Sequence, residues 1–383
     1  MRSKYLTFGA PHVTPEGIDE VVDSLRSGWL GTGPKVARFE DLIRGYTGAP
    51  YAAAVNSGSA ALHLGMIALG IGPGDEVITT PMTFCATANS IIHCGATPVF
   101  VDCGRDTQLI DPERIEAAIT SRTRAIIPVH MAGRICDMTE IRGIARRHDL
   151  RIVEDAAHAL EGRYGDEKVG CMGDITCFSF YVTKNITTSE GGMLTTNDPE
   201  LAERARTYSL HGMDRNAWKR YSDAGYHHYE VVAPGFKYNM TDIEAAIGIH
   251  QFDHIEAWLN RRDQIWKRYD KELGDLPVGT PAPDQPGTRH ARHLYTLIID
   301  PERCGITRDD FIKCLHERHI GTGLHFVSLH LHPWYRDAFG YTSRDFPNAS
   351  WISERTVSIP LSPHLTDLDV DDVISAVREV LGR

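Results

Sequence analysis

From Ala52 to Thr196 the hydrophobic pattern repeats one rhythm. Short apolar, β-branched runs stand at Glu76–Thr80, Pro98–Asp102, Arg124–His130, Arg151–Asp155, Ile175–Phe180 and Gly192–Thr196. Stretches with helical spacing, such as Arg114–Ile119 and Met138–His148, separate most of them. Runs that are apolar throughout, rather than alternating, mark strands buried on both faces of a mostly parallel sheet. They are short and bounded by Gly and Pro, which disfavours a helical bundle. Ligands of such sheets bind beyond the carboxyl ends of the strands. Chemistry is therefore expected at Thr83–Thr87, His130, Asp155–His158 and Ser179–Lys184.

Past residue 240 the character changes. Thr241 and Glu244 have capping-box spacing, and Ile243, Ile247 and Ile255 predict one long amphipathic helix towards Asp270. A Pro/Gly-rich stretch (277–288) follows, then a strand-like LYTLIID (294–300), a helix opening at Thr307–Asp310 and a last helix from about Leu368. The expected organisation is a large α/β body over residues 1–248 and a smaller unit over 249–383.

Composition adds exclusions. The 383 residues are 42% apolar and 24% charged, ordinary globular usage that rules out a disordered or fibrous chain. The net charge of −11 argues against a nucleic-acid binder, which needs a basic face. A small phosphate ligand stays open, because backbone N–H groups can hold it. No apolar run nears the roughly 18 residues of a membrane span, and the N-terminus lacks a signal-peptide core. Eight cysteines without a CxxC pair read as reduced thiols, so a cytoplasmic protein is expected.

The candidate chemistry lies at the strand ends. Asp155, in VEDAAHA (153–159), leaves an apolar strand and needs a partner to stay charged there, or else simply caps a helix. Lys184 follows another strand in FSFYVTKNITTSEGG (178–192). A lysine at the dry mouth of a sheet can form a Schiff base with a carbonyl, whereas an ordinary surface lysine is the bland alternative. NSGSAALHL (56–64) is a Ser/Gly turn opening a helix, able to cradle a phosphate or merely to cap. Phe84, in PMTFCATAN (81–89), suits stacking on a flat ring or a place in the core. Phosphate cradle, carboxylate and amine together are what pyridoxal 5′-phosphate (PLP) requires: an anchor, a partner for its ring nitrogen, and an amine to bond.

With SGWLGTGP (27–34) and GFKYNMTDIEAA (235–246), these segments resemble the DegT/StrS-type sugar aminotransferases along nearly the whole chain. The resemblance implies PLP fold type I: a three-layer α/β/α large domain with a mostly parallel mixed sheet, plus a smaller α+β C-terminal domain. It implies a ping-pong transfer, through a pyridoxamine 5′-phosphate stage, from an amino donor such as glutamate to a keto group of a nucleotide-linked sugar, with 4-keto-6-deoxy sugars leading. Lys184 would be the Schiff-base lysine, Asp155 the ring-nitrogen partner, and His158 would lie beside the cofactor. Phe84 would stack on the ring, while Gly58, Ser59 and Ser179 would hold the phosphate. Active sites shared across a homodimer are implied, with Lys237 or Asn239 of the partner subunit on the phosphate. Thr32 and His325 would face the sugar, and Tyr181 replaces a histidine frequent in the family. Other activities on the same fold are a sugar 3-dehydratase, which puts histidine where this chain has Lys184, an aminocyclitol aminotransferase and a non-catalytic regulator. His325, His330 and His332 lack acidic or thiol partners at ligand spacing, so no metal site is expected. GxGxxG and Walker patterns are absent, which disfavours a generic nucleotide-binding protein.

Overall fold

The computed structural model describes residues 2–214 and 228–382. Strands of four or more residues and helices of eight or more are numbered here in chain order. Seven strands form the main sheet: β1 (Tyr51–Val55), β2 (Glu76–Thr79), β3 (Thr97–Phe100), β4 (Thr123–Ile126), β5 (Arg151–Asp155), β6 (Ile175–Ser179) and β7 (Gly192–Thr196). Their order is β1-β7-β6-β5-β4-β2-β3. All run the same way except β7, which is antiparallel to both its neighbours. The expected mostly parallel, mixed sheet is therefore observed.

Adjacent strand residues face opposite layers. Val77, Ala125, Val153, Ile175 and Leu194 pack under helix α3 (Gly58–Ala68). Ile78, Ile126, Ile152, Phe178 and Met193 pack on the other face against α2 (Pro34–Thr47) and α5 (Met138–His148). A sheet greased on both sides needs strands that are apolar at every position, which is the pattern the sequence carries. A second core joins β8 (Tyr295–Ile298) and β9 (Thr356–Ile359) to α9 (Arg308–Glu317) and α10 (Asp367–Val380).

Three expectations shift. The strand expected over Arg124–His130 ends at Ile126; the chain then runs on to His130, with only a single bridge from Val129 to Asp155. Strand β1, YAAAV, was not marked by its pattern, since alanine is a poor strand former. The long helix from Thr241 is broken into α7 (Asp242–Ile249), a 3₁₀ turn (His250–Asp253) and α8 (Ile255–Leu273). Gln251 sits in the break and clamps Thr187: its Nε2 donates to Thr187 O (2.7 Å), and its Oε1 accepts from Thr187 N (3.1 Å).

Candidate active site

The carboxyl ends of β1, β5 and β6 and the start of β7 meet at one edge of the sheet, around a cavity of about 460 Å³. At one end Ser57 caps α3, its hydroxyl accepting from Ala60 N (3.1 Å). Gly58 and Ser59 begin that helix and line the cavity, so unpaired N–H groups and the positive end of the helix dipole point into it. Two close approaches shape the turn. A Cβ on Gly58 would sit 2.8 Å from Ser179 Cβ, and one on Gly192 only 2.3 Å from Ser57 O.

Asp155 ends β5 and is buried. Thr87 Oγ1 donates to its Oδ2 (2.7 Å), and Ala157 N donates to its Oδ1 (3.2 Å). These two donors hold a charged carboxylate at the cavity wall. Lys184 lies in the loop after β6, lining the cavity. Desolvation lowers its pKa to about 8, against the opposing pull of the Asp155 charge.

Three imidazoles complete the wall. His158 Nδ1 accepts from Ala132 N (3.2 Å), which leaves the ring proton on Nε2. Its ring stacks on His293 at 4.4 Å. His325 Nδ1 lies 2.8 Å from Ser358 Oγ. Burial and the nearby Lys184 charge hold His158 and His293 well below the usual histidine range, and His325 at about 4. All three are neutral near pH 7, so they add no charge between Lys184 and Asp155; the exposed Glu190 also lines the cavity.

The structure thus brings Gly58, Ser59, Phe84, Asp155, His158, Ser179, Lys184 and His325 to one cavity. Phe84 is 57% exposed at the rim, 5.9 Å from Phe326, and is not a core residue. Tyr181 is also on the rim. Thr32, Lys237 and Asn239 are not on this cavity within one chain. Asn239 Nδ2 donates to Thr32 Oγ1 (2.7 Å), and both line a separate groove of about 670 Å³; Lys237 is exposed. His130 does line the cavity but is tied up, with Nε2 3.0 Å from Glu154 Oε2 and Nδ1 accepting from Cys136 N. His330 lies between the hydroxyls of Ser328 and Ser350, and His332 bonds Val327 O, so the three C-terminal histidines have separate partners.

Thr87 lies in the Thr83–Thr87 segment where chemistry is expected, but its bond to Asp155 is not foreseen there, and His293 and Phe326 are not expected at the site. Thr87 stands one helical turn after Thr83, with the two hydroxyls 2.8 Å apart, a spacing that could have flagged it. His293 and Phe326 come from beyond residue 249, where nothing local points to the cavity.

Residues 11–378 match the profile of the DegT/DnrJ/EryC1/StrS aminotransferase family. This chain belongs to that family. It is 50% identical over 382 residues to the spore coat polysaccharide biosynthesis protein SpsC of Bacillus subtilis, covering 99% of this chain and 98% of that protein. Among solved structures, the candidate sugar aminotransferase Spr1654 of Streptococcus pneumoniae, in its PMP form, superposes with a TM-score of 0.92. That match has 35% identity and covers 98% of this chain and 99% of that one. DesI, solved in the presence of its TDP-sugar product, superposes with a TM-score of 0.87 at 30% identity, over 100% of this chain and 94% of DesI. The aminotransferase fold expected from the motifs is the fold observed.

Proposed function

We propose that this aminotransferase uses pyridoxal 5′-phosphate to move the amino group of L-glutamate onto a keto group of a nucleotide-linked sugar, a 4-keto-6-deoxy sugar being the leading candidate. The observation that carries the reading is the joint placement of the α3 N-terminus, Asp155 and Lys184 on one cavity. The donor set fits the cofactor: N–H groups at Gly58 and Ser59 with the Ser179 side chain for a phosphate, a fixed carboxylate for a protonated ring nitrogen, and an amine for an aldehyde. The similarity to DesI, solved in the presence of its TDP-sugar product, supports a nucleotide-linked substrate.

When bound, PLP supplies an electron sink for the carbon next to the transferred nitrogen. The chain's own residues do the rest. Asp155, oriented by Thr87 and Ala157, would keep a proton on the cofactor's ring nitrogen. Lys184 Nζ, with a pKa of about 8, has a sizeable neutral fraction near neutrality and takes and returns the proton of the substrate carbon. His158 would offer its Nε2–H as a donor to the cofactor, and neutral His325 would face the sugar without adding charge. Phe84 and Tyr181 border the open side and exclude water there.

In this reading residues 1–248 form the cofactor-holding body and 249–383 the smaller unit that contributes His293 and His325. The working form is a cytoplasmic homodimer in which Lys237 or Asn239 of the partner subunit completes the phosphate site. The test is direct. PLP-loaded protein should be yellow and bleach with glutamate, and Lys184→Ala should lose the visible band and at least about 10³-fold in turnover. Sustained turnover by Lys184→Ala overturns the assignment. A panel of nucleotide keto-sugars then identifies the acceptor.

A further inference from the structure

Behind the Lys184 loop lies a second, smaller cavity of about 40 Å³. Thr183, Lys184 and His293 line both cavities, so they form the partition between them. The small cavity is further walled by Asn185 and Arg262 and reaches His12 and His364, whose rings stack at 3.8 Å and are exposed.

Arg262 is 1% exposed. Its Nη2 donates to Glu161 Oε1 at 2.5 Å, whereas Nε and Nη1 have no protein partner among the described residues. Buried donors of this kind are satisfied in folded proteins, by water where the protein offers nothing. The choice of ligand follows from the shape of a guanidinium. Its two-donor edges are Nε with Nη2 and Nη1 with Nη2, so the two free donors share no edge and one carboxylate cannot take both. Glu161 already supplies the counter-charge, and a further anion would gain little. Two separate neutral acceptors fit. At roughly 10–15 Å³ of such space for each water, the cavity accommodates about three.

We propose that this rear cavity holds ordered waters anchored on Nε and Nη1 of Arg262, and that they carry protons between Lys184 Nζ and solvent. The inference rests on the aminotransferase reading. There Lys184 Nζ collects a proton from the donor's α-carbon while cofactor and substrate fill the front cavity, which leaves the rear as its contact with water. In the exchange an Nζ–H bond breaks as a water O–H bond forms. A second proton passes from the water chain to bulk at the His12–His364 mouth, and the reverse steps restore Nζ. Of the groups facing the path, Lys184 gives up its proton easily, with a pKa of about 8, and burial holds His293 well below its usual range, so that ring adds no charge; Arg262 is the fixed cation there, paired with Glu161.

Two measurements decide it. Crystals of the PLP-loaded protein grown in sodium bromide should show waters about 3 Å from Arg262 Nε and Nη1 and no bromine anomalous signal in the cavity. Bromide on Arg262, or a dry cavity, overturns the proposal. Glutamate deuterated at its α-carbon then reports the path, read as deuterium retained in the bleached cofactor. Ser362→Phe, which fills the cavity from its wall, should raise retention by about threefold or more while the bleaching rate changes by less than about threefold. Ala10→Phe fills it from the N-terminal side and provides an independent variant should Ser362→Phe fail to fold. Unchanged retention with native bleaching rejects the conduit. Native protein that bleaches with no L-amino acid rejects the aminotransferase reading and the conduit with it, and the crystal still decides the waters.

Discussion

Thr87 donates its hydroxyl hydrogen to Oδ2 of Asp155 at 2.7 Å, and Thr83 stands 2.8 Å behind it. Both threonines are buried, so no bulk water replaces the bond. Thr87→Val keeps the shape and removes the donor, leaving a carboxylate oxygen short of a partner at a cost of about 1–3 kcal/mol. The expected result is weaker PLP retention, by roughly tenfold for each 1.4 kcal/mol lost in the bound form. Equilibrium dialysis of the variant checks this, and native affinity would show that Asp155 needs no such support.

Much of this site is visible in the primary structure, and the reason is physical. Asp155, Ser179 and Lys184 end or follow strands buried on both faces, and such strands announce themselves as unbroken apolar runs. Strand β1 escapes notice because three alanines satisfy a crowded sheet interior without advertising a strand. The break after Ile249 depends on Gln251 reaching Thr187, a contact across 64 residues that no local pattern encodes. His293 is placed by the same kind of distant contact, its Nδ1 lying 2.9 Å from Asn185 Oδ1. Asn185 Nδ2 in turn faces only acceptors, Glu161 Oε2 and Ala291 O, which fixes the amide's orientation.

Lys184 makes stability depend on pH in a predictable direction. Its pKa falls from an ordinary 10.5 to about 8 in the folded, cofactor-free chain. Between those values the unfolded chain binds more protons than the folded one, so stability rises with pH across that window. Below about 8 both forms are protonated and the penalty for burying the ammonium is felt in full. Lys184→Met removes it. The melting temperature of cofactor-free Lys184→Met should therefore exceed that of native protein at pH 7, with the gap narrowing from pH 8 to 10. A gap that is constant with pH would mean that Lys184 titrates normally.

Gly192 should tolerate no side chain. Its φ is unremarkable; what forbids a Cβ is Ser57 O at 2.3 Å and Gly58 N at 2.7 Å. Gly192→Ala must push the α3 turn away from β7, and overpacking of this kind costs about 1–3 kcal/mol. Because the displaced groups are those assigned to the phosphate, cofactor retention should fall more than stability does. Thermal melts with and without added PLP measure both: native protein should gain more from PLP than the variant gains.

Shared active sites are open to a mixing experiment. Thr32, Lys237 and Asn239 lie off their own chain's cavity; Thr32 and Asn239 line a groove where Trp29 is half exposed, and Val231 and Val232 are exposed near Lys237 in sequence. If Lys237 and Asn239 serve the partner's phosphate, the double variant Lys237→Ala/Asn239→Ala should bind PLP poorly, and Lys184→Ala should be inactive for its own reason. In a heterodimer of the two, one site carries both defects and the other carries neither. Denaturing and refolding the two variants together in equal amounts should make about half the dimers mixed, each with one native site. Activity should then return to about a quarter of the native value per subunit, since only half of the dimers regain one of their two sites. A mixture no more active than its separate components would place Lys237 and Asn239 outside the partner's site. The refolded native enzyme sets the scale, and size-exclusion chromatography of each variant tests whether the starting materials are dimers.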